Sequence, residues 1–306
     1  LFLMRRAILF ALAAQMSYRK FLGASGSIRV FRKLEDELEQ HREDLIQDGA
    51  VPDYGHPIRF QHVSFRYQNS DDVLTDVNLI IPPKKTVGIV GASGAGKSTL
   101  VMLLTGILQP VSGEILLGDQ RYTQLDQTLL RQRIGYVTQE SVILNDTIRN
   151  NITLWSEEHR HDLLKSAADK AYLSEFIEKS PEGLDTVLGD NGLNISGGER
   201  QRISIARELF KEVDLLIFDE ATSSLDSHSE NEILRNIDEF QGEKTVVVIA
   251  HRLSTVKNCD IIYVFKDGAC VEQGSYTQLY ESGGDFTMMV EEQTPSDLRS
   301  TPDSNT

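Results

Sequence analysis

The sequence has few cysteines, an acidic rather than basic balance, and no apolar opening long enough for a membrane helix. Its two cysteines, Cys259 and Cys270, exclude a disulfide framework, and we expect ordinary packing thiols in a reducing compartment. The net charge of -15 argues against a nucleic-acid binder, which normally carries a basic face. With 306 residues, 40% of them apolar, the chain can bury the core of one large domain or two modest ones.

The apolar residues at 1–14 are split by Arg5 and Arg6. On insertion scales two central arginines cost about 5 to 7 kcal/mol, which offsets most of the gain from the apolar residues around them. The segment would therefore not span a membrane unaided. We expect the cytoplasmic end of a membrane helix whose earlier part lies outside this chain; a signal peptide that starts at Met4 is the rival interpretation of the pattern.

Apolar residues recur at helical spacing between positions 17 and 47, which predicts a long connecting helix. Its basic half precedes its acidic half, as suits a segment that leaves the cytoplasmic face of a membrane. A solvated amphipathic helix that packs on its own domain explains the same pattern. Gly49, Pro52, Gly55 and Pro57 then indicate a linker.

Short apolar segments predict the strands of the domain that follows. Alternation at 58–67 and 77–81 indicates an antiparallel starter sheet. Continuous apolar runs at 86–90, 134–138, 215–218 and 246–250 are typical of strands buried on both faces of a parallel sheet. Residues 261–272 predict a closing hairpin, and the composition of residues 293–306 predicts a disordered tail.

A residue suited to nucleotide chemistry follows each of the four continuous apolar runs. These residues are Gly91, Gln139, Asp219 with Glu220, and His251. Because ligands of open parallel sheets bind at the carboxyl ends of the strands, we expect all of them to converge on one edge.

Residues 91–98 follow the pattern Gly-x-x-x-x-Gly-Lys-Ser between a predicted strand and a predicted helix. In such a loop the backbone N–H groups wrap a β-phosphate, the lysine reaches the β and γ oxygens, and the serine hydroxyl binds Mg²⁺. The sequence therefore predicts a phosphate-binding loop. Its members are Gly91, Ala92, Ser93, Gly94, Ala95, Gly96, Lys97, Ser98 and Thr99.

Asp219 and Glu220 stand at the exit of a buried apolar run. Acidic residues are common at a turn or at the start of a helix, which is the structural explanation. With the phosphate loop upstream, we interpret Asp219 as the outer-shell holder of Mg²⁺ and Glu220 as the base that polarises an attacking water.

Ser196 and Glu199 have the spacing of a capping box at the start of a helix predicted to run to about residue 210. That structural role leaves Gly197 and Gly198 unexplained. Two glycines bare the N-terminus of a helix and allow a phosphate to approach its N–H groups. The sequence thus holds two candidate anion sites, one at the phosphate loop and one here.

Together these motifs resemble the nucleotide-binding domain of an ABC transporter of the exporter type, over roughly residues 58–284. The family's usual signature motif, Leu-Ser-Gly-Gly-Gln, is matched at residues 195–199 with Ile for Leu and Glu for Gln, changes that keep the hydroxyl and both glycines. The resemblance implies an α/β P-loop NTPase fold. It would comprise a mixed parallel core sheet, an antiparallel N-terminal β-subdomain and a helical subdomain that carries the signature motif.

The resemblance also assigns roles residue by residue. Tyr67 stands where an aromatic ring stacks on adenine, although a tyrosine taken alone is more often a core or strand-surface residue. Gln139 matches the Q-loop glutamine, which links Mg²⁺ and water to the membrane domain, and His251 matches the switch histidine at the γ-phosphate. The D-loop, which touches the partner subunit, corresponds to Ser223, Ser224, Leu225 and Asp226. The implied catalytic set is Lys97, Gln139, Glu220 and His251, and the implied Mg²⁺ set is Ser98, Gln139 and Asp219.

Two further stretches resemble exporters in particular. They are residues 139–152, around the Q-loop, and residues 186–192, just before the signature motif. The second stretch has Asp190 and Asn191 where the family usually has Glu-Arg, so it lacks the arginine of that pattern.

The resemblance implies an ATPase that uses ATP and Mg²⁺ and shares its nucleotides head to tail with a second ATP-binding domain, which belongs either to a second copy of the chain or to a paralogue. Transmembrane domains, in the missing N-terminal part of the same polypeptide, would be the other partner, with the ATP-binding domain on the cytoplasmic side of an inner (cytoplasmic) membrane. No nucleic-acid partner is expected. The expected division is membrane and connecting helix at 1–50, linker at 51–57, ATP-binding domain at 58–290 and disordered acidic tail at 291–306.

A soluble ABC-type ATPase of DNA repair, translation or chromosome organisation is the alternative. The acidic charge, the absence of zinc-binding cysteines, the single cassette and the apolar, basic N-terminus argue against it.

Overall fold

The computed structural model describes residues 2–40, 46, 48–68, 70–156, 160–189, 192–193, 195–220, 240, 242–250 and 252–293. Contacts divide the chain into two units, Leu1–Leu45 and Ile46–Thr306. The first unit is one helix, α1 (Phe2–Gln40), which covers the apolar opening and most of the predicted connecting helix. None of the helices in the ranges given above is both long enough and apolar enough to cross a membrane.

The second unit begins before the predicted domain boundary. The backbone N–H of Ala50 donates to Gln124 O (2.9 Å), and the hydroxyl of Tyr54 donates to Leu130 O (2.9 Å). Tyr54 is buried as well. The segment expected as a linker therefore packs on the domain that follows it.

The strands of the second unit are numbered along the chain. They are β1 (Ile58–Arg66), β2 (Asp72–Ile81), β3 (Thr86–Gly91), β4 (Ser112–Leu117), β5 (Gln120–Arg121), β6 (Ile134–Val137), β7 (Leu215–Asp219), β8 (Thr245–Ala250), β9 (Ile261–Lys266) and β10 (Ala269–Gly274). The helices are α2 (Lys97–Leu104), α3 (Gln127–Gln132), α4 (Ile148–Thr153), α5 (His161–Lys170), α6 (Ser174–Lys179), α7 (Gly197–Phe210), α8 (Tyr276–Ser282) and α9 (Asp285–Gln293).

Two sheets confirm the predicted fold class. The smaller, antiparallel sheet has the order β2-β1-β4-β5, and the larger has the order β10-β9-β3-β8-β7-β6. In the larger sheet β9, β3, β8, β7 and β6 run parallel, and β10 closes the edge as the predicted antiparallel hairpin with β9. The sequence did not predict β4 and β5, because neither short segment alternates in polarity.

The larger sheet is buried on both faces, which explains its continuous apolar strands. One face packs Leu216, Phe218 and Val248 among residues of α4, α5 and α7, including Ile203 of α7. The helices α4 to α7 are called the helical part below. The other face packs Leu215, Ile217 and Val247 against α2 and the smaller sheet. An apolar side chain is therefore required at successive positions of these strands.

A buried asparagine organises the helical part. Asn151 of α4 is fully buried, and its amide donates to Leu144 O (2.9 Å) and Thr147 O (3.0 Å) while its Oδ1 accepts from Leu144 N (2.8 Å). Arg207 of α7 donates to Asn151 O (2.7 Å) and Val142 O (2.9 Å). These bonds tie the segment after β6 to both α4 and α7.

Replacement of Asn151 tests this arrangement. Asn151→Ala removes three hydrogen bonds of a fully buried side chain and leaves partly buried backbone groups of Leu144 unsatisfied, so we expect a loss of about 2 to 4 kcal/mol in the free energy of unfolding. Urea denaturation measures it. Asn150→Ala, which removes one half-buried bond to Asp146, is the matched control and should cost about 1 kcal/mol or less. Equal losses in the two variants would contradict the organising role of Asn151.

Candidate functional site

The carboxyl ends of the central strands meet at one edge of the larger sheet. Gly91 ends β3 beside Phe265 of β9, and Asp219 ends β7 opposite Ile249 of β8. Glu220 follows directly, and Gln139 lies exposed two residues beyond the end of β6. The parallel register thus brings four of the predicted site residues to the same edge.

Several predicted site residues fall outside the described ranges. They are the switch histidine and the four D-loop residues: His251, Ser223, Ser224, Leu225 and Asp226. Asp190 and Asn191, at which the sequence departs from the family pattern, also lie outside the described residues.

The phosphate loop adopts a conformation that its glycines permit. Gly94 and Gly96 have φ values of 81° and 94°, in the left-handed region. A Cβ at Gly96 would lie 2.6 Å from a methyl carbon of Leu74, so a larger residue does not fit there. Because glycine occupies the N-cap of α2, no side chain of that residue covers the first N–H groups of the helix. The loop therefore presents a bare helix N-terminus, the feature that binds phosphate.

Lys97 lies at the centre of this edge. Its side chain is nearly buried, and Nζ donates to Gly91 O (2.8 Å) and Ala92 O (2.9 Å) of the loop itself. Burial lowers the pKa of Lys97, while the negative charges of Glu220 and Asp219 act in the opposite direction. The ammonium group is thus within electrostatic reach of both carboxylates and of the phosphate loop.

The remaining loop residues differ in exposure. Ala92, Ser93, Gly94 and Ser98 are exposed, whereas Ala95 and Thr99 are buried. The exposed Ser98 hydroxyl in the first turn of α2 is available to a ligand or metal ion.

Tyr67 lies beside the helix that follows the loop. Its hydroxyl is 3.2 Å from Thr99 Oγ1, and its ring packs edge-on against Phe65 with centroids 5.0 Å apart. The side chain is 43% exposed. The ring is thus held near the phosphate loop and still offers a surface on which a base could stack.

Glu220 has an uncommon backbone conformation. Its φ is 51°, in the left-handed region that non-glycine residues seldom adopt, and its N–H donates to Ile249 O (3.0 Å). Strained residues of this kind cluster at functional sites. The bond to β8 fixes the backbone at the point where the carboxylate leaves the sheet.

Tyr136 of β6 is a site residue that the sequence analysis missed. Its hydroxyl donates to Asp219 Oδ2 (2.7 Å), and burial, this bond and the nearby carboxylates all raise the pKa of Tyr136. The apolar pattern of residues 134–138 predicts a core strand and no site residue. A tyrosine inside that apolar run is the available signal, because the hydroxyl of a partly buried tyrosine usually has a hydrogen-bond partner.

The signature motif begins α7 with a complete capping box. Ser196 Oγ accepts from Glu199 N (3.3 Å), and Glu199 Oε2 accepts from Ser196 N (2.7 Å) and from the Ser196 hydroxyl (2.8 Å). Arg200 donates to Ile195 O (3.0 Å), which holds the preceding turn. The capping box that the sequence predicts is therefore present in the structure. Ser196 is also exposed.

The two exporter-like stretches contact each other. Thr147 and Val187 form a bridge, Ile148 N donates to Thr186 O (3.0 Å), and Leu188 N donates to Asp146 O (3.0 Å). A further bond joins the first stretch to α7.

That bond links the Q-loop region to the signature helix. Ser141 Oγ donates to Gln201 Oε1 at 2.6 Å. Ser141 is two residues after Gln139, and Gln201 is two residues after Glu199. The described part of the helical region is thus held together by polar contacts as well as by apolar packing.

Comparison with known proteins agrees with this geometry. Residues 74–223 match the family model described as ABC transporter. The chain is 42% identical over 308 residues to ABC transporter B family member 6 of Dictyostelium discoideum, covering 95% of this chain and 45% of that protein. It is 39% identical over 269 residues to the ATP-dependent lipid A-core flippase of Escherichia coli (strain K12), covering 87% of this chain and 46% of the flippase.

A solved structure shows the same fold. The structure of a bacterial Atm1-family ABC exporter with ATP bound matches with a TM-score of 0.76 at 37% identity, over 82% of this chain and 44% of that one. The chain spans less than half the length of each of these relatives. Its phosphate loop, its signature helix and these matches agree, and the chain belongs to the ABC transporter family, of which it carries the ATP-binding domain.

Proposed function

We propose that this chain is the ATP-hydrolysing domain of an ABC exporter and powers the movement of a substrate across a membrane. The observation that carries the proposal is the cluster at one sheet edge, where Asp219 ends β7, Glu220 follows it, and the buried Lys97 begins α2 beside an uncapped helix N-terminus. The named relatives, a flippase and an exporter, support the transport role. They do not favour the soluble-ATPase alternative.

The phosphate loop binds the triphosphate through backbone N–H groups and Lys97. In the structure the ammonium group donates hydrogen bonds to the carbonyl oxygens of Gly91 and Ala92, which are neutral acceptors. Phosphate oxygens carry charge and form stronger bonds with an ammonium group. Lys97 therefore exchanges these carbonyls for the β and γ oxygens, and Tyr67 stacks on the base.

The residues near the loop suit a magnesium ion. The Ser98 hydroxyl, the Asp219 carboxylate and the Gln139 amide are oxygen donors, the type of ligand that Mg²⁺ prefers. Ser98 and Gln139 are exposed, so they can accept a ligand without unfolding. When bound, Mg²⁺ offsets the negative charge of the phosphate oxygens.

Glu220 acts as the general base. Its carboxylate accepts the proton of a water that attacks the γ-phosphoryl group in line with the leaving oxygen. Lys97 and the N–H groups of α2 stabilise the charge that develops there. His251 contributes a further contact to the γ-phosphate.

A second copy of the domain completes the site. The N-terminus of α7 offers the N–H groups of Gly197 and Gly198 to an anion, while the hydroxyl of Ser196 caps the N–H of Glu199. Head-to-tail pairing places this N-terminus of one subunit over the phosphate loop of the other, with the D-loop residues at the contact. Each dimer then binds two ATP molecules.

Opening and closing of this dimer drives transmembrane domains between an inward-facing and an outward-facing state. The Q-loop region transmits the movement, because Gln139 is one of the proposed Mg²⁺ ligands and Ser141 is bonded to Gln201 of α7. The domain works on the cytoplasmic side of an inner membrane. The charge of -15 gives no reason to expect a nucleic-acid partner.

Glu220→Gln tests the assigned base. The amide keeps the shape of the side chain but cannot take a proton, so we expect turnover to fall by about 100-fold or more. ATP binding should persist, and an ATP-bound dimer should accumulate. Phosphate release and size-exclusion chromatography with ATP measure the two effects.

Glu212→Gln is the matched control for this change. Glu212 is an exposed carboxylate paired with Arg160, away from the sheet edge, and its replacement should leave turnover unchanged. Wild-type hydrolysis by the Glu220 variant would overturn the role of Glu220.

Mixing two inactive variants tests the shared sites. Lys97→Ala removes the lysine of the phosphate loop, and Gly197→Asp places a carboxylate at the N-terminus of α7. The aspartate suits that helix end but repels a phosphate. In a mixed dimer both defects fall in one site and the other site is intact, so random pairing should restore roughly a quarter of wild-type ATPase activity.

Each variant alone should be nearly inactive in the same assay. Activity of the mixture that equals the mean of the two separate variants would contradict sites built from two subunits.

A further inference from the structure

We propose that Tyr136 is a positioning residue of the nucleotide site, whose hydroxyl fixes the orientation of Asp219 and thereby sets the affinity of the site for Mg²⁺. The inference rests on the proposed function, because it concerns the same ATP site. It concerns a residue that neither the phosphate loop nor the signature motif contains.

The sheet register explains how Tyr136 reaches Asp219. Tyr136 on β6 pairs with Ile217 on the parallel neighbour β7. Side chains two residues apart share a face of a sheet, so Asp219 lies on the same face as Ile217 and one step nearer the site. The tyrosine side chain spans this diagonal, and its hydroxyl donates to Asp219 Oδ2 at 2.7 Å.

The tyrosine itself is held in place. Its ring packs against the apolar cluster that contains Ile134, Leu215 and Ile217. Its backbone N–H donates to Glu208 Oε2 of α7 at 3.4 Å. The hydroxyl is therefore a fixed donor, and its position does not depend on a flexible side chain.

A fixed donor restricts the carboxylate that receives it. With Oδ2 held by the tyrosine, rotation of the Asp219 carboxylate is limited, and Oδ1 keeps one orientation relative to the phosphate loop. Loss of a group that orients a metal-binding side chain typically lowers metal affinity by about 10- to 100-fold. The hydroxyl of Tyr136 performs this orienting task for Asp219.

A purely structural role makes a different prediction. Tyr136→Phe keeps the ring that packs in the core and removes only the hydroxyl. If the ring alone matters, the variant binds metal and nucleotide as the wild type does. If the hydroxyl orients Asp219, metal affinity falls while metal-free nucleotide affinity stays the same.

The experiment measures binding and does not depend on turnover. Mn²⁺, a paramagnetic substitute for Mg²⁺, is titrated into the ADP complex and the free ion is followed by electron paramagnetic resonance. We expect Tyr136→Phe to weaken Mn²⁺ binding by about 10-fold. ADP affinity in EDTA, measured by calorimetry, should stay within about 2-fold of wild type, because the lysine and the loop are unchanged.

Tyr122→Phe is the matched control. Tyr122 is a buried tyrosine that directly follows β5 of the smaller sheet. Its hydroxyl has no hydrogen-bond partner among the described residues. Loss of that hydroxyl should leave Mn²⁺ affinity unchanged.

A double variant shows whether Tyr136 acts through Asp219. In an Asp219→Asn background, Tyr136→Phe should produce no further loss of Mn²⁺ affinity, because the oriented carboxylate is already gone. Unchanged Mn²⁺ affinity in the single variant, or a full 10-fold effect that persists in the Asp219→Asn background, would overturn the positioning role. A wild-type chain that binds neither ADP nor Mn²⁺ would overturn the proposed function together with it.

Discussion

Burial of the central parallel strands on both faces is the constraint on which the rest of the structure depends. Strands such as β7 and β8 have helices or a second sheet on either side, so their interiors admit only apolar side chains. A charged residue can stand only where such a strand ends. The parallel direction makes those ends coincide, and the polar chemistry is concentrated at one edge as a result.

Charge balance at that edge follows from the same geometry. The nearly buried ammonium of Lys97 is held by two carbonyls and lies in the field of two carboxylates, so the edge is electrostatically prepared before any nucleotide arrives. The left-handed backbone of Glu220 places the second carboxylate where the strand turns away from the sheet. Fixed dipoles and charges of this kind need little rearrangement during a reaction.

Much of this arrangement could be predicted from the sequence, because it depends on local patterns. The continuous apolar runs predicted the parallel strands, and the spacing of Gly91, Gly96 and Lys97 predicted the loop. Contacts between distant segments could not be predicted in that way. Tyr136 was assigned to the core because its partner, Asp219, is 83 positions away, and the packing of Tyr54 was missed because its neighbours suggested a linker.

The unequal anchoring of α7 has a mechanical consequence. Gln201, Arg207 and Glu208 of α7 are bonded to the segment after β6 and to β6 itself, whereas Ser196 at the start of the helix is exposed. A rigid helix of 14 residues is about 21 Å long. A tilt of about 5° along this length displaces one end relative to the other by about 2 Å, comparable with the length of a hydrogen bond. A movement of the segment after β6 that tilted the helix would therefore shift its exposed end by enough to make or break a contact with a phosphate.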